Sequence, residues 1–386
     1  MKDAPAADRR RGHSTMQHKT GLVCHERYFW HDAGSGAGFS EVNPYAQPDR
    51  HPESPDSKRR FLALLEVSGL AEHLTRLPPR LATTAELQYF HTSGYVERVA
   101  ALSAAGGGVV GDSATIGPGS FDIARLSAGG CIVAVDAVVG GQVRNAYALV
   151  RPPGHHAESD QGRGYCVFGN AVIAIRHAQR ALGVGRVAVV DWDVHHGNGT
   201  ETAFLDDPSV LTMSIHQDRH YPTDRGQLTE VGQGDGRHTN LNIPLPAGSG
   251  HGAYLAAFDQ VIVPALMRFQ PELIFITSGL DASAMDPLGR MMCTSETYRE
   301  MTRRVMGAAD ICCQGRIVAT HEGGYSNAYV PFCGLAVLET LSGIRSAAAD
   351  PYLAELMSMA GHECLPHQET VIQAAAALVD NIPAKR

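Results

Sequence analysis

Three residues of types that bind divalent metal ions are placed so that they can share one ion. Asp193 and His195 lie two residues apart, and side chains at positions i and i+2 of an extended segment point the same way. Asp281 can complete the set from a neighbouring strand. One imidazole and two carboxylates, with a fourth position open, are typical of catalytic Zn²⁺, although Fe²⁺, Co²⁺ or Mn²⁺ would also suit them. For an isolated match, a turn-forming aspartate beside a solvated histidine would be the better interpretation.

Two adjacent histidines supply groups for proton transfer. His155 and His156 follow the rigid turn at 152–154, and imidazoles titrate near the working pH of most enzymes. Asp191 and Asn198 flank the metal ligands and could orient the histidine rings. For His155 alone, a buried histidine with a structural hydrogen bond is an equally good interpretation.

Tyr325 follows two glycines, where the backbone can approach other groups closely. Its phenol could donate a hydrogen bond to an oxyanion beside the metal. Three other histidines near strand ends, His216, His220 and His321, are expected at the rim or in structural roles.

Short apolar runs alternate with helical patterns, and polar sequence follows each run. The predicted strands are 146–150, 186–190, 210–215, 273–277 and 317–320. This alternation predicts an α/β fold, a single three-layer domain with a central parallel sheet flanked by helices. Ligands bind at the carboxyl ends of parallel strands, so the five polar segments are expected to meet at one site.

The 386 residues carry a net charge of −8, from 32 Lys and Arg against 40 Asp and Glu. The first 20 residues carry +3, which leaves −11 for the rest. An acidic body argues against a nucleic-acid coat or a membrane-surface protein, and no apolar run is long enough for a membrane span. The eight cysteines form no C-x-x-C pair, which favours a reducing cytoplasm. We predict a disordered tail over residues 1–20 and a catalytic domain over 21–386.

Together these segments resemble the histone deacetylase family, which has the arginase/deacetylase-like fold, and most closely its bacterial class II-like amidohydrolases. The resemblance extends from about Gly21 to Asp380. The matching stretches are R-P-P-G-H-H from Arg151, G-Y-C-V-F-G-N from Gly164, D-W-D-V-H-H-G-N-G-T from Asp191, S-G-L-D-A-S from Ser278, D-P-L from Asp286 and E-G-G-Y-S from Glu322.

The resemblance implies how the catalytic residues divide the work. His156 would be the main general base and acid, while His155, hydrogen-bonded to Asp191, would act mainly through its charge. Tyr325 would stabilise the oxyanion. Asn198 stands where class I relatives carry an aspartate, which implies a less basic His156.

The resemblance also implies two ion sites. Zinc would be held by Asp193, His195 and Asp281. A monovalent cation, K⁺ or Na⁺, would lie close to the zinc. Its ligands, partly main-chain oxygens, would come from Asp191, Asp193, His195, Ser214 and Ile215.

A substrate tunnel is implied as well. Gly164 and Tyr165 would form one wall, Tyr221 the opposite wall and Leu288 part of the mouth, with Asp112 as a rim aspartate that holds the substrate backbone. Tyr165 and Tyr221 stand where phenylalanine is common, so they add hydroxyl groups to a channel that is usually apolar.

The predicted reaction is hydrolysis of an N-acyl amide by a zinc-dependent amidohydrolase, most simply removal of the acetyl group from an acetyl-lysine side chain. An acetylpolyamine amidohydrolase is the nearest alternative, although Leu288 offers no acidic group for a polyamine. A binuclear manganese hydrolase and a non-catalytic ligand-binding module are more distant ones. The expected partner is an acylated lysine peptide or a small N-acylated amine, with no nucleic acid and no membrane, and the chain could form a homo-oligomer.

Overall fold

Strands and helices alternate along the chain in the computed structural model. The structure describes residues 19–36 and 43–385. The strands, in chain order, are β1 (Thr20–Val23), β2 (Ser35–Gly36), β3 (Asp49–Arg50), β4 (Thr75–Arg76), β5 (Gly108–Asp112), β6 (Ala114–Ile116), β7 (Asn145–Ala148), β8 (Gly162–Arg163), β9 (Val187–Asp191), β10 (Val210–Gln217), β11 (Asn240–Leu245), β12 (Leu273–Ser278) and β13 (Ile317–His321).

The helices cover both faces of the main sheet. In chain order they are α1 (Asp56–Val67), α2 (Thr84–Leu87), α3 (Ser93–Ala104), α4 (Ser120–Val139), α5 (Asn170–Leu182), α6 (Asn198–Phe204), α7 (His251–Ala257), α8 (Val263–Phe269), α9 (Ser295–Cys313), α10 (Val330–Ser342), α11 (Leu353–Met357) and α12 (Pro366–Val379). A π-helical turn, Phe258–Ile262, joins α7 to α8, and short 3₁₀ helices lie at Glu26–Trp30, Leu70–His73 and Gly234–Gly236.

Eight strands form the main sheet in the order β11-β10-β9-β12-β13-β7-β1-β4, and every pairing within it is parallel. The five predicted strands correspond to β7, β9, β10, β12 and β13, with ends that differ by up to two residues. The prediction of a parallel sheet is confirmed. All five strands are buried along their whole length, which explains why they were visible as continuous apolar runs.

Three strands of the main sheet, β1, β4 and β11, were not predicted. β4 has only two residues, and β1 contains a glycine that interrupts its apolar run. β11 contains two asparagines and Pro244, which are depleted in strands. Proline is tolerated there because β11 lies at the edge of the sheet, where one row of backbone groups has no neighbouring strand.

Alternate residues of each strand enter two separate hydrophobic cores. In β9, Val187 and Val189 belong to the core beneath α4 and α5, whereas Ala188 and Val190 belong to the core beneath α9 and α10. Side chains of successive strand residues point to opposite faces, so each face needs its own layer of helices. The predicted three-layer α/β architecture is confirmed.

Helix α9 shows how the helices meet the sheet. Tyr298, Met301, Val305 and Ala308 recur at helical spacing, and all four are buried in the core shared with β12. The spacing places them on one face of the helix, which packs against the sheet.

The predicted tail lies almost entirely outside the described residues, because residues 1–18 are not among them. Thr20, which the prediction assigned to the tail, is the first residue of β1 and is buried, so the predicted boundary is one residue late. Among residues 19–36 and 43–385, no helix combines the length and the apolar character needed to cross a bilayer.

A buried ion cluster ties the chain before α1 to the end of β7. The Glu53 carboxylate lies 2.9 Å from Arg151 Nη2 and 3.0 Å from Lys58 Nζ, and all three side chains are at most 2% exposed. Burial opposes the charge of Glu53, but Arg151 and Lys58 lower its pKa to about 2. Arg151 begins the segment that carries His155 and His156, so this cluster helps to hold the histidines in place.

We expect Glu53→Ala to lower the free energy of unfolding by about 3–5 kcal/mol, because it leaves two buried cations without a counter-ion. Urea unfolding followed by circular dichroism would measure the loss. A depressed carboxyl pKa stabilises the folded state above the unfolded value of 4.5, so the difference from wild type should shrink as the pH falls from there towards 2.

Glu66→Ala is the matched control. Glu66 pairs with Arg76, and both side chains are about half exposed, so its loss should cost less than about 1 kcal/mol. Equal losses in the two variants would contradict a stabilising role for the buried cluster.

Candidate metal centre and active site

In the segment that follows β9, successive side chains point alternately into the core and away from it. Trp192 and Val194 are fully buried in the core beneath α9, and the Trp192 indole N–H donates to Ser278 Oγ at 3.2 Å. The intervening side chains, Asp193 and His195, therefore point away from that core. Packing of the tryptophan thus holds the two predicted ligands on one side of the segment.

Asp281 joins these two residues from the segment after β12. His195 Nδ1 lies 3.0 Å from Asp193 Oδ1 and 3.2 Å from Asp281 Oδ2, and one ligand atom from each residue lies within 4.8 Å of the others. Backbone amides hold both carboxylates, because Val194 N–H donates to Asp281 Oδ1 at 2.9 Å and Gly323 N–H donates to Asp193 Oδ2 at 2.8 Å.

Electrostatics at this cluster favour a bound cation. Asp193 and Asp281 are fully buried, and among the described residues Asp281 Oδ2 accepts no well-aligned hydrogen bond, although His195 Nδ1 lies 3.2 Å away. Burial and the neighbouring charge of Asp193 raise the pKa of Asp281 to about 6. Burial also opposes the charge of Asp193, but His155 and His195 lower its pKa well below the usual range. A divalent cation would stabilise both carboxylates in their ionised form.

The space around the cluster also suits an ion. A Cβ atom added at Gly323 would overlap the carboxylates of both Asp193 and Asp281, and one added at Gly279 would overlap Asp193. Glycine at these positions leaves the space that the two carboxylates occupy. Two carboxylates and one imidazole fit Zn²⁺ or a related ion and leave a coordination position open, as catalytic sites require.

The two adjacent histidines have different partners. His155 Nδ1 lies 3.0 Å from Asp191 Oδ2, and its Nε2 lies 3.7 Å from Asp193 Oδ2. His156 Nδ1 lies 2.8 Å from Asn198 Oδ1. Both rings are buried, with centroids 3.9 Å apart.

These partners separate the pKa values of the two rings. Burial disfavours the charged form of His155, but the carboxylates of Asp193 and Asp191 outweigh it and raise the pKa of His155 to about 10. Burial, together with the positive charges of His155 and His195, lowers the pKa of His156 well below its usual value. Near neutral pH the pair therefore holds one imidazolium and one neutral imidazole, a division typical of acid–base sites.

Tyr325 lies on the segment that follows β13, and Asp286 holds its backbone. Asp286 Oδ2 accepts hydrogen bonds from Tyr325 N–H at 2.8 Å and Ser326 N–H at 3.2 Å, while Oδ1 accepts one from Leu288 N–H at 2.9 Å. Burial and the charge of Asp281 raise the pKa of Tyr325 well above its ordinary value. The phenol therefore stays protonated and can donate a hydrogen bond.

A pocket of about 340 Å³ connects these groups. Its volume lies near the lower end of the range of about 300–1,000 Å³ common for small-molecule sites. It is lined by Ser113, His156, Gly164, Tyr165, His195, His220, Tyr221, Leu288 and Tyr325. One metal ligand, one neutral histidine and one protonated phenol thus face the same space, together with the four residues of the predicted tunnel.

Gly164 shows how closely the pocket wall approaches the histidines. Its φ of 49° is left-handed, and a Cβ atom there would overlap the His156 ring and lie 2.9 Å from Tyr221 Cε1. Only glycine lets this wall pack against the general-base candidate without displacing it.

Asp112 lies at the rim and already has partners. Its Oδ2 accepts a hydrogen bond from the Tyr221 hydroxyl at 3.0 Å and lies 3.4 Å from Arg163 Nε, while Oδ1 accepts one from the Ser113 hydroxyl. The Tyr221 hydroxyl, which distinguishes this channel from one lined by phenylalanine, therefore binds the rim carboxylate directly.

The residues of the predicted monovalent-cation site come from neighbouring strands. Asp191 and Ser214 are direct partners in the β9–β10 register, and both line a small cavity of about 10 Å³. That volume suits a single water or ion. Asp193, His195 and Ile215 are not among the residues that line the cavity, although they are close in sequence to those that do.

Sequence analysis did not assign His220 and Ser113 to the pocket. His220 was expected at the rim or in a structural role, but its ring stacks on His195 with centroids 5.2 Å apart, and its Nε2 lies 2.5 Å from the Leu288 carbonyl oxygen. Its place next to Tyr221 was the available signal. Ser113 could have been found only as the neighbour of Asp112, because its own residue type has no distinctive chemistry.

A family model described as the histone deacetylase domain matches residues 51–341, which include every proposed catalytic and metal-binding residue. The chain belongs to the histone deacetylase family. A histone deacetylase-like amidohydrolase of Pseudomonas aeruginosa is 49% identical over 339 residues, which cover 87% of this chain and 89% of the relative. Histone deacetylase 8 of Arabidopsis thaliana is 35% identical over 337 residues, covering 84% and 88% of the two chains.

Solved structures agree with the sequence comparison. The structure matches the HD domain of HDA15 with a TM-score of 0.77 and 32% identity, covering 94% of this chain and 95% of that chain. The predicted arginase/deacetylase fold and the predicted family are both confirmed, and membership of the histone deacetylase family implies hydrolase activity.

We expect Gly323→Ala to weaken metal binding at least about tenfold, because the added methyl group would overlap the carboxylates of Asp193 and Asp281 and displace them. Competition with a chromogenic chelator would measure the affinity, and circular dichroism would check the fold.

Gly307→Ala is the control, because Gly307 lies in α9 with open space around its Cβ position. Wild-type metal affinity in a folded Gly323→Ala protein would show that Asp193 and Asp281 are not the ligands.

Proposed function

We propose that this protein is a zinc-dependent amidohydrolase that removes acetyl or other acyl groups from acyl-lysine side chains or similar N-acylated amines. The observation that carries the proposal is the 340 Å³ pocket, because His195, His156 and Tyr325 all line it. Membership of the histone deacetylase family supports an acylated amine as the substrate.

In this proposal Asp193, His195 and Asp281 hold the zinc ion. When bound, zinc would polarise the acyl carbonyl and make the attacking water more acidic. A monovalent cation, K⁺ or Na⁺, would lie nearby, and the adjacent Asp191 and Ser214 would provide its principal side-chain oxygens.

The side chains around the pocket would transfer protons and stabilise the charge that develops during the reaction. His156 is neutral and can accept the proton of the attacking water, and the same ring can then protonate the departing amine. His155 stays positively charged because of Asp191 and Asp193, so it stabilises negative charge that develops near it. Tyr325 donates its phenolic proton in a hydrogen bond to the oxyanion of the tetrahedral carbon.

The mouth of the pocket favours acyl-lysine over an acetylpolyamine. A polyamine carries ammonium groups beyond the amide, and an acidic side chain at the mouth would be needed to bind them. Leu288 supplies an apolar surface there, and the carboxylate of Asp112 already accepts hydrogen bonds from Tyr221 and Ser113.

A substrate panel tests the proposal directly. We expect the zinc-loaded protein to hydrolyse an acetyl-lysine peptide with a higher kcat/KM than acetylputrescine, measured by release of acetate, and we expect Asp281→Asn to abolish both activities. Failure to hydrolyse any acyl-lysine or acylated amine would refute the proposal, and a preference for acetylputrescine would support the polyamine alternative.

We expect Tyr325→Phe to lower kcat by on the order of 100-fold or more, because it removes one hydrogen-bond donor to the oxyanion. Zinc content should not change, since Tyr325 is not among the proposed ligands. Tyr89→Phe is the control, because Tyr89 is a partly buried tyrosine that packs under Arg180 at another place on the molecule. Unchanged turnover in Tyr325→Phe would remove the phenol from the mechanism.

We also infer that the protein works in a reducing compartment such as the cytoplasm. All eight cysteines are free thiols, and they are spread over intermediate and buried positions.

A further inference from the structure

The orientation of the Asn198 side chain is determined by its surroundings. Its Nδ2 group donates hydrogen bonds to the His156 carbonyl oxygen at 3.3 Å and to Glu158 Oε1 at 2.9 Å. A carbonyl and a carboxylate can only accept, so a flipped amide would place an oxygen against two other oxygens. The Asn198 Oδ1 atom therefore faces His156 Nδ1, at 2.8 Å.

The carboxylate of Glu158 is the decisive partner, and it is itself held on both oxygens. Arg163 Nη1 donates to Oε1 at 3.0 Å, and Gln161 Nε2 donates to Oε2 at 2.9 Å. Partial burial opposes the charge, but the hydrogen bonds from Gln161 and Arg163 lower the pKa of Glu158. Glu158 therefore remains ionised at neutral pH and offers the amide only an acceptor.

This arrangement determines which nitrogen of His156 carries the proton. An amide oxygen only accepts hydrogen bonds, so the neutral ring must carry its proton on Nδ1 and keep the lone pair on Nε2. We propose that Glu158, held by Arg163, is a positioning residue that sets the tautomer of His156 by fixing the amide of Asn198. The inference rests on the proposed function, in which His156 acts as the general base.

The network also reaches the rim of the pocket. Arg163 Nε lies 3.4 Å from Asp112 Oδ2, which accepts the hydrogen bond from Tyr221, and the Arg163 guanidinium lies 5.8 Å from the Tyr221 ring centroid. Asp112 and the general-base candidate are thus connected through Arg163, Glu158 and Asn198.

The test compares Glu158→Ala and Glu158→Gln with the wild type in the zinc-loaded, full-length protein. Removing the carboxylate lets the Asn198 amide flip, so we expect Glu158→Ala to lower kcat by about 10- to 100-fold with little change in KM or zinc content. Glutamine can still accept through its own carbonyl oxygen, so Glu158→Gln should recover part of the loss. Glu86→Ala is the control, because Glu86 is another partly buried carboxylate that pairs with an arginine, Arg80.

Two-bond proton–nitrogen NMR correlations of the histidine rings report the tautomer independently of activity, with the His156 signals assigned from their loss in His156→Ala. We expect a proton on Nδ1 in the wild type and a growing population with the proton on Nε2 in Glu158→Ala. That shift would support the inference even if the wild type hydrolysed none of the substrates tested, in which case only the proposed function would fail. Unchanged kcat and an unchanged tautomer in Glu158→Ala would overturn the inference.

Discussion

The structure of the site depends on two carboxylates that are buried next to each other. Asp193 and Asp281 lie at the ends of the adjacent strands β9 and β12, away from water and held by backbone amides. Burial and the charge of Asp193 raise the pKa of Asp281, and among the described residues one oxygen of Asp281 accepts no well-aligned hydrogen bond. Buried charges of one sign are costly unless a counter-charge is present. The proposed zinc ion would supply this counter-charge to Asp193 and Asp281.

Electrostatics separate the pKa values of the two adjacent histidines. Asp193 and Asp191 outweigh burial and raise the pKa of His155 to about 10, whereas burial and the positive charge of His155 lower the pKa of His156. An aspartate at position 198 would make His156 more basic, because a carboxylate stabilises the imidazolium. Asn198 places a neutral amide against the ring instead. The carboxylate of Glu158 binds the Nδ2 group of this amide and so orients it, without contacting the ring.

Two tyrosines give the walls of the pocket a polar character. Tyr165 and Tyr221 bring hydroxyl groups to walls that are commonly lined by phenylalanine, and Tyr221 uses its hydroxyl to bind Asp112. A substrate that is to bind Asp112 must compete with this hydrogen bond. The affinity of such a substrate would therefore depend on Tyr221. Family membership therefore supports the type of reaction, while the preferred amine depends on residues particular to this chain.

Much of this arrangement could be predicted from the sequence because it depends on local patterns. Continuous apolar runs revealed the five central strands, and the alternation of side chains along an extended segment placed Asp193 and His195 together. The edge strand β11 was missed because asparagine and proline weaken its apolar pattern. The strand β4 was missed because it has only two residues, too few to show a periodic pattern. The ion cluster of Glu53, Lys58 and Arg151 could not be found, since Arg151 lies 98 residues from Glu53 in the sequence.

Fold class, family and the residue types that converge at the strand ends could be predicted from the sequence, since each depends on short-range order or on motif identity. Which side chains share a proton or a charge became clear from the folded structure. Glu158 and Asn198 are forty residues apart in the sequence. A hydrogen bond between two such residues depends on a distance in the folded chain, which their spacing in the sequence does not specify. The placement of His220 in the pocket and the link from Asp112 to His156 follow from the same long-range geometry.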